Sequence, residues 1–476
     1  MNDTDFGIEI SQFNEGLSPL AHVDTETFVG NKGQASEMKA DIISKPGIIT
    51  QSPGLSDLTN GTQASVVDQL IRFILDKPTT TNTTYAVGTT KLFKLSSTTV
   101  ASGGSPSWPQ TITGMTEGES IVRIGADLLI FYNKSSGGDI ATLDLGTEVI
   151  DDDWGSDTDM ALNKAPHPSA VKEDIVVFGN GQYAGVFVLG LNVLDTQKLD
   201  FGLGATVVDV VFHANMWWIA VNYGEGKRSQ IYLYDGSAIS NILSDEAGIG
   251  DQEIGFLYVH NGTVFLLYKD KTINGFIVGF VSGRALKPLR YYAGSLPNHR
   301  QKALFKNTIL TVSDGSVLSC GAPVEQLPLQ ISNLADGGHA TLGAIAAPFG
   351  TPMVSSSSGS NHRIAVFSGY SLDSFWKSTF KDLTKARMLG KIHTVIVQTK
   401  ELGANAMCKI KLEGNQGKVS SSFFNISGID MTRHVFRSID LLPLEDVRVI
   451  LDWSEGNTTN DCPIRKIILL GNYVEN

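Results

Sequence analysis

The chain has 476 residues, 42% hydrophobic and 18% charged, with a formal net charge of −12 at pH 7. That is apolar material for two or three packed cores. The negative balance, with Lys and Arg scattered as single residues or pairs, excludes a protein that grips duplex DNA through a basic face.

Residues 1–60 carry nine Asp/Glu against three Lys and no Arg. Their apolar residues are sparse, so the segment reads as an extended N-terminal arm that cannot offset its own ordering entropy. Phe6, Ile8, Ile10 and Phe13 form a nearly alternating set suited to docking as a strand. Lys45-Pro46-Gly47 and Ser52-Pro53-Gly54 flank one short strand-like run, Ile48-Ile49-Thr50. Residues 64–76 have Val67, Leu70, Ile71 and Ile74 at helical spacing, but their Val/Ile/Phe content favours a strand.

From there a polar turn followed by an apolar burst recurs six times, about 45 residues apart. The bursts begin at Thr84, Asp127, Asp174, Asn215, Gly262 and Asn307. Each is preceded by an apolar strand and followed by a third strand, such as Asp139–Leu145 or Gln230–Gly236, that ends near glycine. Continuous bursts suit central strands covered on both faces. A strand-filled period of this length is the signature of a β-propeller, expected over 61–369. A seventh unit around His339–Gly369 offers Ile364-Ala365-Val366-Phe367, but the run Ser355–Ser358 hides its hairpin, so the expectation is six or seven blades.

After residue 370 the spacing stops. Strands at 392–397, 407–412, 434–436, 447–453 and 464–470 alternate apolar with basic or polar residues. That pattern predicts a β-sandwich over 370–476. The fold expected is therefore all-β: an arm, a propeller and a sandwich.

Cys320, Cys408 and Cys462 have no metal-ligand spacing and read as buried reduced thiols of a chain folded in cytosol. Met1–Asp5 has neither the basic start nor the apolar run of an export signal, and no apolar stretch approaches a membrane span.

Motifs for chemistry are thin. The nearest approach to a sialidase-type Ser-x-Asp-x-Gly-x-x-Trp box is Ser371–Trp376, which lacks the glycine and occurs once. Arg72, Arg123, Arg228, Arg284, Arg290 and Arg300 stand in no recognisable carboxylate-gripping context. Glycoside hydrolysis needs two facing carboxylates, and nothing in the sequence singles out a pair. The acidic run Asp151–Asp159 reads as a solvated inter-blade loop; calcium coordination is the alternative, without the EF-hand order. His213 and His260 fall at equivalent repeat positions, which argues for a shared structural role such as an edge hydrogen bond. Trp217 and Trp218 sit mid-burst and read as core, while Tyr291 and Tyr292, beside Arg290, offer a weak sugar-stacking lead. No residue is assigned as catalytic, cofactor-binding or metal-binding, and no cofactor is expected.

The opening Phe13-Asn14-Glu15-Gly16-Leu17-Ser18-Pro19-Leu20, the first repeat around Tyr85–Leu95, and the ending Cys462–Tyr473 with its Pro463-Ile464-Arg465-Lys466-Ile467 form give a layout that resembles tailed-bacteriophage virion proteins. They are similar to propeller-bearing tail tube, nozzle and collar components. The resemblance implies a non-enzymatic subunit of a homo-oligomeric ring in the virion, assembled in the host cytoplasm against other tail or connector proteins. Genomic DNA would pass without sequence-specific binding and without membrane insertion of the protein. In that setting the acidic arm orders on a neighbouring subunit, and negative charge on a lumen wall lets DNA slide. The alternative reading is a receptor- or glycan-binding protein at the tail tip.

Overall fold

The computed structural model describes residues 5–11, 35–41, 48–60, 63–64, 67–103, 107–152, 154, 162–224, 229–241, 252–270, 275–292, 294–305, 308–319, 329–333, 341–371, 374–384 and 388–475. The protein is all-β. The helical element among the described residues is the 3-10 turn Leu189–Leu191, and no helix there is long and apolar enough to cross a membrane. Two compact units emerge, one of 57–315 with 334–366 and the other of 1–56, 316–333 and 367–476.

A β-propeller-type succession of antiparallel sheets follows the repeat. Among the described residues there are seven, each four-stranded, opening with Phe73–Ile74, Glu117–Ile124, Ser169–Lys172, Ala205–His213, Gln252–His260, Lys302–Phe305 and Thr341–Ala346. The apolar bursts form the second strands, among them Asp127–Asn133, Ile175–Asn180 and Thr263–Asp270. Leu128, Leu129, Ile130 and Phe131 are all buried because neighbouring sheets cover both faces. Cores bridge successive sheets: Val122, Leu129 and Phe131 of the second pack with Val176, Phe178 and Phe187 of the third. Ile74, Ala86, Phe93 and Leu95 of the first sheet share a core with Ala344, Ala346, Met353, Ile364 and Val366 of the seventh.

The seventh sheet explains what the serine run does. Met353–Ser358 is its second strand, and the hairpin turns one step later, at Gly359-Ser360, into Asn361–Tyr370. Ser355 and Ser356 occupy burst positions and are fully buried. Ser355 Oγ accepts the Ile71 N–H at 3.1 Å, and Ser356 Oγ accepts Arg363 Nε–H at 3.2 Å. The expected strand at 64–76 is confined to Gln63–Ala64 and Phe73–Ile74. The reason lies in the same place: Ile71 gives its N–H to Ser355 and its carbonyl to Ala344 N, so its backbone serves the seventh sheet.

The second unit stacks two sheets. One runs Asp5–Ser11, Ile464–Glu475, Met388–Thr399, Arg433–Arg437. The other contains Ala35–Asp41, Phe375–Ser378, Asp446–Asp452 and Met407–Gly414. Cys408, Ile410 and Leu412 alternate inward, as do Val447, Val449 and Leu451, around buried Trp376 and Trp453. Residues 5–11 differ from a segment waiting for a neighbouring subunit. They pair in register with Asn472–Lys466 of their own chain and bury Phe6 and Ile10. Two apolar side chains suffice here because an existing strand supplies the backbone partners. Phe13 lies outside the described residues.

Candidate functional site

The first strands of the propeller-type unit place charged side chains in its interior. Glu117–Ile124 breaks register between Gly118 and Ser120, so Glu119 sits on a bulge that re-aims its side chain. The same irregularity recurs between Val207 and Asp209, Ile254 and Phe256, and Leu342 and Ile345.

Arg300, in the turn before the sixth sheet, reaches the second sheet. Its Nη1 donates to Glu117 Oε1 at 3.0 Å and to Glu119 Oε1 at 3.2 Å. Arg72 Nη1 approaches the same Glu117 oxygen at 3.5 Å. Asn133 Nδ2 donates to Glu119 Oε1 at 3.1 Å. His299 Nε2 donates to the Glu119 carbonyl at 3.2 Å. Glu119 is 5% exposed in its side chain. Burial outweighs the attraction of Arg300, so its carboxyl is pushed up to about 7. Burial, then the Arg300 and Lys302 charges, hold His299 well below the usual imidazole range, so the ring is neutral. His167 is buried too, drawn down to about 4, and donates from Nδ1 to Gly179 O at 2.9 Å.

A second buried pair ties the fourth, fifth and sixth sheets. Lys302 Nζ contacts Asp209 Oδ2 and donates to Leu257 O at 3.0 Å. Asp209 also accepts the N–H groups of Leu257 at 2.6 Å and Val210 at 2.9 Å. Burial pushes the Asp209 carboxyl upward, while Lys302 and these donors favour its ionised form. Ion pairs between non-adjacent sheets thus link the second sheet to the turn before the sixth, and the fourth sheet to the sixth. A cavity of about 180 Å³ lies beside His299, lined by Pro166, Val208, Asn222, Gly255 and Pro297.

This constellation was largely hidden. Arg300 had no recognisable context in sequence, and Glu117, Glu119, Asp209 and Lys302 were not singled out. One signal was present: Asp209 interrupts Val207-Val208-Asp209-Val210-Val211, and a lone carboxylate in a buried strand requires a partner.

The residues weighed from sequence scatter elsewhere. His213 and His260 do share a role, but it is ring packing: centroids lie 6.2 Å from Trp218 and 6.4 Å from Phe265, each five residues on. Trp217 is buried and Trp218 half-buried. Tyr292 packs on Phe276 with centroids 5.3 Å apart. Of the acidic run, Trp154 packs edge-on against Phe187 and Asp152 accepts the Thr113 N–H at 3.1 Å; Asp153 and 155–159 lie outside the described residues. No group of His, Cys, Asp and Glu suited to a metal occurs among the described residues. Trp376 is a core residue on the strand Phe375–Ser378, not part of a hairpin box. Cys408 and Cys462 are buried free thiols; Cys320 lies outside the described residues.

A wider cleft of about 480 Å³ opens between the third and fourth sheets. Val186, Phe212, Trp217 and Tyr234 line it with Lys172, Asp195, Lys198 and Asp235.

No protein-family model matches the chain, and no curated protein matches it. Among solved structures, the extracellular domain of a hybrid two-component system from B. thetaiotaomicron is similar with a TM-score of 0.47 and 12% identity, over 75% of this chain and 44% of that one. The N-terminal domain of Nup159 gives a TM-score of 0.36 at 9% identity, over 65% and 99% of the two chains. An exo-beta-1,3-galactanase from Phanerochaete chrysosporium gives 0.29 at 10% identity, over 88% and 100%. At these values the likenesses carry no functional inference.

Proposed function

We propose that the chain is a non-enzymatic structural protein of a tailed-bacteriophage virion, in which copies form a ring around the path of DNA ejection. The propeller-type unit is read as a closed seven-bladed disc, the core shared by its first and seventh sheets being the support for closure. The observation that carries the functional reading is the tied centre of this disc. A glycosidase keeps two carboxylates free to face a sugar, whereas Glu117 and Glu119 are held by Arg300 and Asp209 by Lys302. Such a centre suits a rigid body and gives DNA no passage along its own axis, so the lumen belongs to the assembly of copies. A net charge of −12 favours a wall from which phosphates are repelled.

The test is electron microscopy of the purified full chain with its mass in solution. Rings with an open lumen are expected. A monomer at micromolar concentration, with discs alone in the images, overturns the reading. A tail-tip glycan binder is the second reading, favoured by the aromatic and carboxylate lining of the cleft between the third and fourth sheets. Glycan binding abolished by Asp235→Ala would support it.

A further inference from the structure

Among the described residues the four-stranded sheet of the second unit ends in Asp5–Ser11 on one side and Arg433–Arg437 on the other. An edge strand presents unpaired backbone N–H and C=O groups and is a template for another strand. Both strands are short, and their exposed side chains have the same spacing. Asp5, Gly7 and Glu9 are exposed on one, Arg433, Val435 and Arg437 on the other. The five side chains, and the position of Gly7, lie on the same face of the sheet. The register carries Val435 across Ile396 and Ile468 to Glu9, and Arg437 across Thr394 and Leu470 to Gly7.

We propose that these two edges are the halves of one interface, the Asp5–Ser11 strand of one copy adding to the Arg433–Arg437 strand of the next. Strand polarity fits this. Each neighbour in the sheet is antiparallel, so the two edge strands run in opposite directions and a continued sheet stays antiparallel throughout. Charge fits as well. In the register that sets Arg433 opposite Glu9, Val435 opposite Gly7 and Arg437 opposite Asp5, both arginines meet a carboxylate. Glu9 is already steered by Lys466 of its own chain at 2.7 Å and keeps its side chain half exposed. Arg433 and Arg437 make no ion pair among the described residues.

The complementarity also selects the symmetry. Pairing like edges would set Arg against Arg or carboxylate against carboxylate, which is repulsive; pairing unlike edges neutralises both. Unlike-edge contact is heterologous, and heterologous contacts form rings where the rotation between copies closes and filaments where it does not. The proposal deepens the ring reading and rests on it for the number of copies that close, but it makes its own statement about which surfaces meet.

Two measurements on the full chain test it. In the first, the charges are reversed. Arg433→Glu with Arg437→Glu, and separately Asp5→Lys with Glu9→Lys, should each raise the concentration needed for assembly about tenfold or more. Mixing the two variants should restore assembly, because each supplies the complement the other lost. In the second, Gly7→Cys with Val435→Cys should give a ladder of oxidised oligomers, and neither single variant should. Rings that persist in both reversal variants without any ladder overturn this interface and leave the ring reading standing. A monomeric wild type that still yields the ladder upholds the interface and removes the ring. Monomers without a ladder remove both.

Discussion

Replacing Arg300 by Ala isolates the part of the interior that the rest leans on. The guanidinium is the cation touching Glu119, whose side chain is 5% exposed, and it also binds Glu117, 32% exposed. The outer pair is screened and contributes little, so the effect is carried by Glu119. Its folded carboxyl titrates at about 7, against 4.5 in the unfolded chain. At pH 5.5 the buried group is protonated in both proteins, and the variant loses hydrogen bonds costing about 1 kcal/mol. At pH 8.5 the wild type holds it ionised beside Arg300. Without that charge, burial keeps it protonated, and the variant forgoes the 1.5 units between 7 and 8.5, a further 2 kcal/mol or so. The total, about 3 kcal/mol, meets the low end of what an orphaned buried charge costs. Urea unfolding followed by fluorescence, with Trp108 and Trp217 buried in the propeller-type unit, measures it at the two pH values. Equal destabilisation within about 0.5 kcal/mol at both would refute the assignment of the charge to Glu119.

Glu119→Gln mimics the protonated acid. Because the folded carboxyl is raised, wild-type stability should fall by about 3 kcal/mol as pH climbs from 4.5 to 7; the glutamine variant should lose that slope in a pH series of unfolding midpoints. Ser355→Ala leaves the buried Ile71 N–H without its acceptor and should cost about 1–3 kcal/mol by denaturant melts, with Ser360→Ala, in the exposed turn, as a neutral control. Gly343→Ala would drive a Cβ into the Ile71 carbonyl, a backbone atom that cannot swing aside. A loss above about 2 kcal/mol is expected in the same melts.

How far the sequence can be read depends on which interactions are local. The bursts from Asp127 to Thr263 were legible because four or five apolar residues between turns fix a buried central strand within one hairpin. The seventh burst was not, since Ser355 and Ser356 are buried by virtue of Ile71 and Arg363, and the first of these lies 284 residues away. Glu119 and Arg300 are 181 residues apart, and no periodicity encodes the pairing of the second sheet with the turn before the sixth. Asp5–Ser11 shows the converse case. Its alternation announced a strand, but its partner, Ile464–Glu475, stands at the other end of the chain. Hydrophobic period therefore yields strands and their order, whereas charge pairing yields the interior and the edges. Where a repeat carries polar residues in place of apolar ones, the substitution marks a contact with something distant in sequence. By that rule Arg433 and Arg437, which make no ion pair among the described residues, mark the edge at which the proposed contact between copies is to be tested.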